Sequence, residues 1–297
     1  MENHRGKEER NFPQRNAMTV DVEDFYQVSA FEKYISRDDW SQYPQRIEDS
    51  TRRILEIFEQ SQISATFFIL GWVAQKYPFL VREIERGGHE IGLHSYSHRL
   101  IYEMTPEEFR EDLRKGKVIL EDILGKSVYS FRAPSFSITQ RSLWALEILV
   151  EEGIRYDSSI FPIYHDRYGI PGGKVEMHEI STASGVLYEF PPSVMKFLGK
   201  NFPVSGGGYF RLYPYRFSRF CLRNVNIRAG RPFIFYIHPW EVDPQQPRLP
   251  FGSRSTQFRH RVGLSRNEGK LLRLLKDFRF SGMQDVMDAY FGLQKGT

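Results

Sequence analysis

HEIGLHSYSH, His89 to His98, is the stretch on which the reading of the fold turns. It opens as an alternating strand, with Ile91 and Leu93 on one face and Glu90, Gly92 and His94 on the other, then breaks into a polar loop that ends at His98. His94 and His98 stand four apart, with two serines and no good helix former between them. A neutral imidazole is the commonest side-chain metal ligand, and two of them within one short turn can share an ion. No glutamate follows the first histidine as in the helical HExxH pair, so a base has to come from elsewhere in the chain.

Outward from this strand the chain alternates strand and helix. Upstream, MTVDVE (Met18 to Glu23) puts Met18, Val20 and Val22 on one face and Thr19, Asp21 and Glu23 on the other. Asp24 follows at once. Ionised acids this close repel by about 3 kcal/mol per pair at an effective dielectric of ~20 and ~5 Å, so a cation or a retained proton is expected beside them. A helix is predicted from Pro44 through Gln60 on Ile47, Ile54, Leu55 and Phe58. Ser64 to Leu70 reads as a buried strand, and Trp72 to Arg86 as a helix with Pro78 as an interruption, stopped by Gly87-Gly88.

Downstream, Thr105-Pro106-Glu107-Glu108 starts a helix that should reach Leu124 and stop at Gly125. Val128 to Arg132 is the next strand, leading into Ala133-Pro134-Ser135-Phe136. Thr139 then caps a helix stopped at Gly153, and Ile154 to Asp157 is a further strand. From Ser158 to Pro232 the rhythm fails. The triple glycine of SGGGYFR (Ser205 to Arg211) lacks the Gly-Lys-Ser/Thr of a phosphate cradle and reads as a turn or substrate loop. Phe233 to His238 is a strong strand, Ser265 to Glu268 a capping box, and Met283 to Phe291 a last short helix.

Composition sets the bounds. At 297 residues, with 40% hydrophobic and 26% charged residues, the chain can bury a substantial core in one large α/β domain or two smaller ones. A formal charge of +4 does not itself imply nucleic acid, although arginines crowd the stretch from Arg211 to Arg266. Cys221 is alone, which rules out an intrachain disulfide and fits a reducing compartment. Residues 1–16 lack the apolar core of a signal peptide and are expected to be a disordered extension, with one domain over 17–297. No apolar run approaches the roughly 18 residues of a membrane span. The expectation is a soluble cytoplasmic protein.

Repeated strand and helix units imply a parallel sheet whose active site lies at the C-terminal ends of the strands. Asp21 with Glu23, then His94, Arg132, Asp157 and His238, all fall at such ends. Acids, imidazoles and a guanidinium gathered at one end of one sheet point to a metal-dependent catalytic site.

At these residues the sequence resembles the NodB-homology polysaccharide deacetylases, carbohydrate esterase family 4. The family's catalytic aspartate beside a metal-binding acid, its His-x-x-x-His pair, its Arg-x-Pro segment and its late histidine match Asp21 with Glu23 or Asp24, His94 with His98, Arg132-Ala133-Pro134, and His238. VDVEDFY, GGGYFR and HPWEVDP further resemble the branch found at exosortase exopolysaccharide loci. The resemblance implies a distorted (β/α) barrel with fewer than eight regular strands and a family-specific portion over about 160–297. Where the family has two adjacent aspartates, a valine intervenes here; strand alternation favours Glu23 as ligand, and a strand ending at Val22 favours Asp24.

By that resemblance the chain removes acetyl groups from N-acetylated sugars of an exopolysaccharide or its precursor and releases acetate. The ion is zinc first, with cobalt, nickel or manganese as alternatives. Asp21 would act as base, and His238 as acid toward the departing amine. Arg132 would orient Asp21, a backbone N–H near Ser135 would hold the oxyanion, and Asp157 would position His238 or be a buried structural acid. Phe136 and Trp240 would line the acetyl pocket or stack on a sugar. The partner is an acetylated glycan, with peripheral contact at the inner membrane face if the substrate is a lipid-linked precursor, and no nucleic acid. An amidase acting on a small non-sugar amide and a non-catalytic glycan-binding protein are the competing readings.

Overall fold

All seven residues of the strand β1, Asn16–Val22, are buried, and the rest of the sheet is laid down around it. Met18, Val20 and Val22 enter the main core on one face. Thr19 and Asp21 turn to the other face, where both meet the guanidinium of Arg132. The computed structural model describes residues 15–165 and 167–293. The expected extension therefore lies outside the described residues up to position 14, and Asn16, assigned to it, is instead the first residue of β1.

The elements follow as α1 (Ile47–Gln60), β2 (Thr66–Ile69), α2 (Gly71–Lys76), α3 (Pro78–Arg86), β3 (Glu90–Leu93), α4 (Pro106–Leu124), β4 (Ser130–Phe131), α5 (Ala145–Glu151) and β5 (Tyr156–Asp157). After them come β6 (His178–Thr182), β7 (Gly185–Glu189), β8 (Val194–Phe197), β9 (Lys200–Pro203), α6 (Gly207–Leu212), α7 (Tyr215–Ile227), β10 (Ile234–Ile237), α8 (Arg254–Arg261), α9 (Leu264–Asp277), β11 (Phe280–Ser281) and α10 (Met283–Phe291).

Several boundaries follow directly from local chemistry. Pro78 divides α2 from α3 as its missing N–H requires. Thr105 and Glu108 form the capping box of α4, and Gly125 ends it in the left-handed region at φ 68°. Two expected starts are displaced. The helix after Thr139 begins only at Ala145. The helix assigned to the Ser265 box begins earlier, at Leu264 behind Gly263 (φ 74°), and Glu268 pairs with Arg53 instead of closing a capping box.

The segment 158–232 is the main correction, since it holds four strands and two helices. In β6 half-buried and exposed residues alternate, so no apolar face marks it in the sequence.

The sheet order is β10-β1-β2-β3-β4-β5-β7-β6, with β11 pairing the first two residues of β1. From β10 to β7 every neighbouring pair is parallel, and β6 closes the path antiparallel to β7. The result is a curled sheet, half of a barrel, with seven parallel strands in succession, as the distorted (β/α) barrel with fewer than eight regular strands implies. Helices cover its outer face through the main core. Inside the curl, Phe68, Tyr156 and Phe190 pack on Met283, Val286 and Met287 of α10. The interior is thus filled at one end and left to polar side chains at the other.

Candidate metal centre and active-site cleft

Three turns at the C-terminal ends of the strands build the site. The first follows β3. Ser95 and His98 both adopt positive φ, 62° and 55°, which folds the chain back so that the two imidazoles lie 5.4 Å apart between ring centres. The turn is pinned from outside: the Asp112 carboxylate of α4 accepts the backbone N–H of Tyr96 at 2.7 Å and of Ser97 at 3.1 Å, and Arg37 Nε donates to the Ser97 carbonyl at 2.6 Å. Gly116 on the same helix permits this approach, since a Cβ there would stand 2.7 Å from Leu93 Cδ1.

His94 and His98 meet Glu23. One ligand atom from each of the three lies within 4.8 Å of the other two, and all three residues are buried. Glu23 Oε2 stands 2.6 Å from His98 Nε2 and 4.0 Å from His94 Nε2, yet it is a buried oxygen with no hydrogen-bond partner. His94 Nδ1 lies 2.8 Å from the Arg132 carbonyl; an Nδ1–H donated there leaves Nε2 as the lone pair facing the acid. Burial holds His94 down to about 4 and hence neutral. For Glu23 burial acts upward, but His98, His238 and His94 outweigh it and hold the carboxyl at about 2. An ionised carboxylate and a neutral imidazole converging on an orphaned oxygen are the donor states a divalent ion requires.

Asp24 is not part of this group, and its assignment as a possible ligand is corrected. The chain turns after Val22, and the Asp24 carboxylate accepts the N–H groups of Arg46 (2.8 Å) and Ile47 (3.1 Å), capping α1 from a distance.

The second turn follows β4. Arg132, 1% exposed, donates from Nη1 to Asp21 Oδ1 and to Thr19 Oγ1, both at 2.7 Å. Its remaining donors reach the Ser158 carbonyl and hydroxyl. Ser135 and Phe136 follow at φ 50° and 52° and line the cleft, with Phe136 packed edge-on against Phe161 and Tyr236. Asp157 fits the second of its two expected roles, a buried structural acid. It is fully buried beneath the site, accepts the Ser159 hydroxyl at 2.5 Å and shares its surroundings with Glu189. Burial raises both carboxyls, and neither lines the cleft; Ser159 in turn accepts the Ala133 N–H, so Asp157 supports the turn from below.

The third turn follows β10. His238 Nε2 lies 3.6 Å from Glu23 Oε1 and 3.9 Å from Asp21 Oδ2, and Nδ1 lies 3.4 Å from Glu241 Oε2. Burial disfavours its charge, but Glu241, Glu23 and Asp21 overcome that and raise it to about 9. Glu241 is fixed by Arg211 Nε at 2.7 Å, and Arg211 Nη1 donates to the His260 carbonyl at 2.7 Å. Trp240 is stacked between His238 and His260, with centroids at 5.3 and 4.7 Å. Sequence reasoning passed over Glu241, Arg211 and His260. The third position after His238 in HPWE was the available signal for the first, and SGGGYFR held the second.

Together these groups line a cleft of about 370 Å³ that reaches Asp21, Glu23, His94, His98, His238 and Trp240. A bound carboxylate pair, two imidazoles on one acid and a charged imidazole facing them can bind a cation, take a proton and give one.

Comparison with known proteins agrees with this architecture. Residues 32–153 match the polysaccharide deacetylase family and residues 158–288 a domain of unknown function (DUF3473). Through that first segment the chain is similar to polysaccharide deacetylases. Among its relatives are a peptidoglycan-N-acetylglucosamine deacetylase of Bacillus cereus, 37% identical over 98 residues (33% of this chain, 36% of the relative), and a chitooligosaccharide deacetylase of Azorhizobium caulinodans, 32% identical over 100 residues (33% and 45%). The matched segment thus spans less than half the length of these relatives. A crystal structure of a Mycobacterium smegmatis protein provisionally assigned as a polysaccharide deacetylase superposes with a TM-score of 0.60 at 19% identity, covering 96% of this chain and 95% of that one, which shows the fold.

Proposed function

We propose that the cleft hydrolyses the acetamide of an N-acetylated sugar in a polysaccharide or oligosaccharide, releasing acetate, with a divalent ion on Glu23, His94 and His98. The observation that carries this reading is the meeting of that three-residue group with an arginine-held carboxylate and a charged imidazole in one cleft. The names of the deacetylase relatives support the choice of acetamide and sugar. Their glycans differ, so the exopolysaccharide suggested by the resemblance is the finer part of the proposal.

A divalent ion there, zinc first among the candidates, supplies Lewis acidity toward the acetyl carbonyl and lowers the pKa of a water. Asp21 takes the proton of the attacking water at Oδ2, because Oδ1 is held by Arg132. His238 carries a proton near neutral pH and gives it from Nε2 to the departing nitrogen as the C–N bond breaks, leaving acetate and a free amine. Glu241 and the flat contact with Trp240 hold the His238 ring in place. Phe136 and Tyr236 give the cleft an apolar wall for the acetyl methyl.

The test is acetate release from N-acetylated oligosaccharides by zinc-loaded protein. Asp21→Asn and His238→Ala are expected to keep the metal and lose about 100-fold or more in turnover, and His94→Ala with His98→Ala to lose the metal. Full turnover by metal-stripped His94→Ala, His98→Ala protein would overturn the reading.

A further inference from the structure

The groove between α7 and α9 takes no part in the cleft. It is open, about 860 Å³, and walled by Arg216, Arg219, Arg223, Arg228, Arg273 and Lys276, with Asp277 as the one carboxylate in its lining. Arg219 Nε takes that carboxylate at 2.9 Å. Among the described residues no salt bridge holds the other five cations.

Apolar side chains stand among these charges. Helix α7 buries Ser218, Cys221, Leu222 and Val225. Arg216, Phe220, Arg223 and Ile227, spaced four, three and four residues apart, form a separate stripe along the outward face. Phe220 is 54% exposed and Ile227 53%. Strand β8 packs on α7, and its turn into β9 raises Phe197 and Leu198, the latter 85% exposed, between Lys196 and Lys200. Leu198 and Gly199 have φ 48° and 73°, the pair of positive values that a tight two-residue hairpin needs.

We infer that this face docks on a bilayer carrying anionic phospholipid, its guanidinium and ammonium groups on the phosphates and Phe220, Ile227, Phe197 and Leu198 in the boundary between headgroups and acyl chains. Charge complementarity selects an anionic partner. The aliphatic members then select lipid, because Ile227 and Leu198 offer no flat ring to a base or sugar and no hydrogen bond to a glycan, whereas a membrane boundary accepts cation and hydrocarbon side by side.

The test is co-sedimentation of the full chain with vesicles of phosphatidylcholine alone and of phosphatidylcholine with phosphatidylglycerol. Binding to the anionic vesicles only, weakened by salt, is expected. Arg216→Glu with Arg223→Glu should weaken it about tenfold or more. Phe220→Ser with Ile227→Ser, and separately Phe197→Ser with Leu198→Ser, should weaken it at unchanged charge. Thermal melts verify that each variant is folded. Equal recovery with both vesicle types, or wild-type binding by the arginine variant, overturns the inference. Tighter binding of an anionic polysaccharide or a single-stranded oligonucleotide than of vesicles likewise overturns it and assigns the groove to a soluble polyanion. Wild-type binding by both apolar variants removes the lipid and leaves a merely electrostatic surface.

Discussion

Glu23 and Asp24 are neighbours in the chain, and the backbone turn after Val22 sends their carboxylates to different tasks. Glu23 faces two imidazoles, and Asp24 closes the N-terminus of α1, where burial raises it to about 6 against the pull of the Arg46, Phe25 and Ile47 N–H groups. The residues therefore separate by experiment. Glu23→Gln should lower zinc affinity at least tenfold with little change in melting temperature in chelator, whereas Asp24→Ala should leave zinc content intact and cost about 1–2 kcal/mol of stability as a lost helix cap. Metal analysis and denaturant unfolding on the two variants read the difference. Loss of zinc from Asp24→Ala and not from Glu23→Gln would reverse the assignment.

His89 makes a second residue-scale case. Its Nδ1 accepts the Ala65 N–H at 3.2 Å, its ring lies against Phe58 and Phe67, and burial lowers it to about 4. An unfolded imidazole titrates near 6.5. Between the two values the unfolded chain binds more protons, so stability rises with pH across that window and is lost as pH falls through it. The loss attributable to His89 is at most about 3 kcal/mol. Unfolding free energies at pH 7 and pH 4.5 should differ less in His89→Gln than in the native chain; an equal difference would assign the acid sensitivity to other groups.

At the scale of elements, strands buried on both faces were legible, and the β7–β6 edge of the sheet was not. β1, β2, β3 and β10 announce themselves because apolar runs or strict alternation leave no other use for their residues. β4 and β5 are only two residues each, and Arg132, just past the end of β4, turns its guanidinium to Asp21. The histidine pair was legible as a pair, but not the scaffold that folds it: nothing near His98 in sequence points to Asp112, which lies one turn inside α4 and holds the loop through two N–H groups. Asp112→Ala should lower zinc affinity about 10–100-fold, the usual cost of an outer partner, while leaving the α4 capping box and hence most of the helix in place. Zinc competition titration measures the first, and far-ultraviolet circular dichroism the second; unchanged affinity would mean that Ser95 and Arg37 suffice to set the turn.

Over the whole molecule, the site lies across the boundary between the two matched segments. His94, His98 and Arg132 come from the deacetylase segment, while His238, Trp240, Glu241 and Arg211 come from the domain of unknown function. Asp21, on β1, and Glu23, one residue past its end, precede both matches, and β1 pairs β2 on one side and β10 on the other. We expect the two segments to be inseparable. A fragment ending at residue 157 loses β10, so β1, buried along its whole length, becomes an open parallel edge with unpaired backbone groups. It also loses α10, whose Met283, Val286 and Met287 fill the inside of the curl. Size-exclusion chromatography should find that fragment aggregated, and heating should give no cooperative transition, even though Glu23, His94 and His98 are all present in it. A monomeric fragment with a sharp melt would show instead that the first half folds alone and that the second half was added to an already complete sheet.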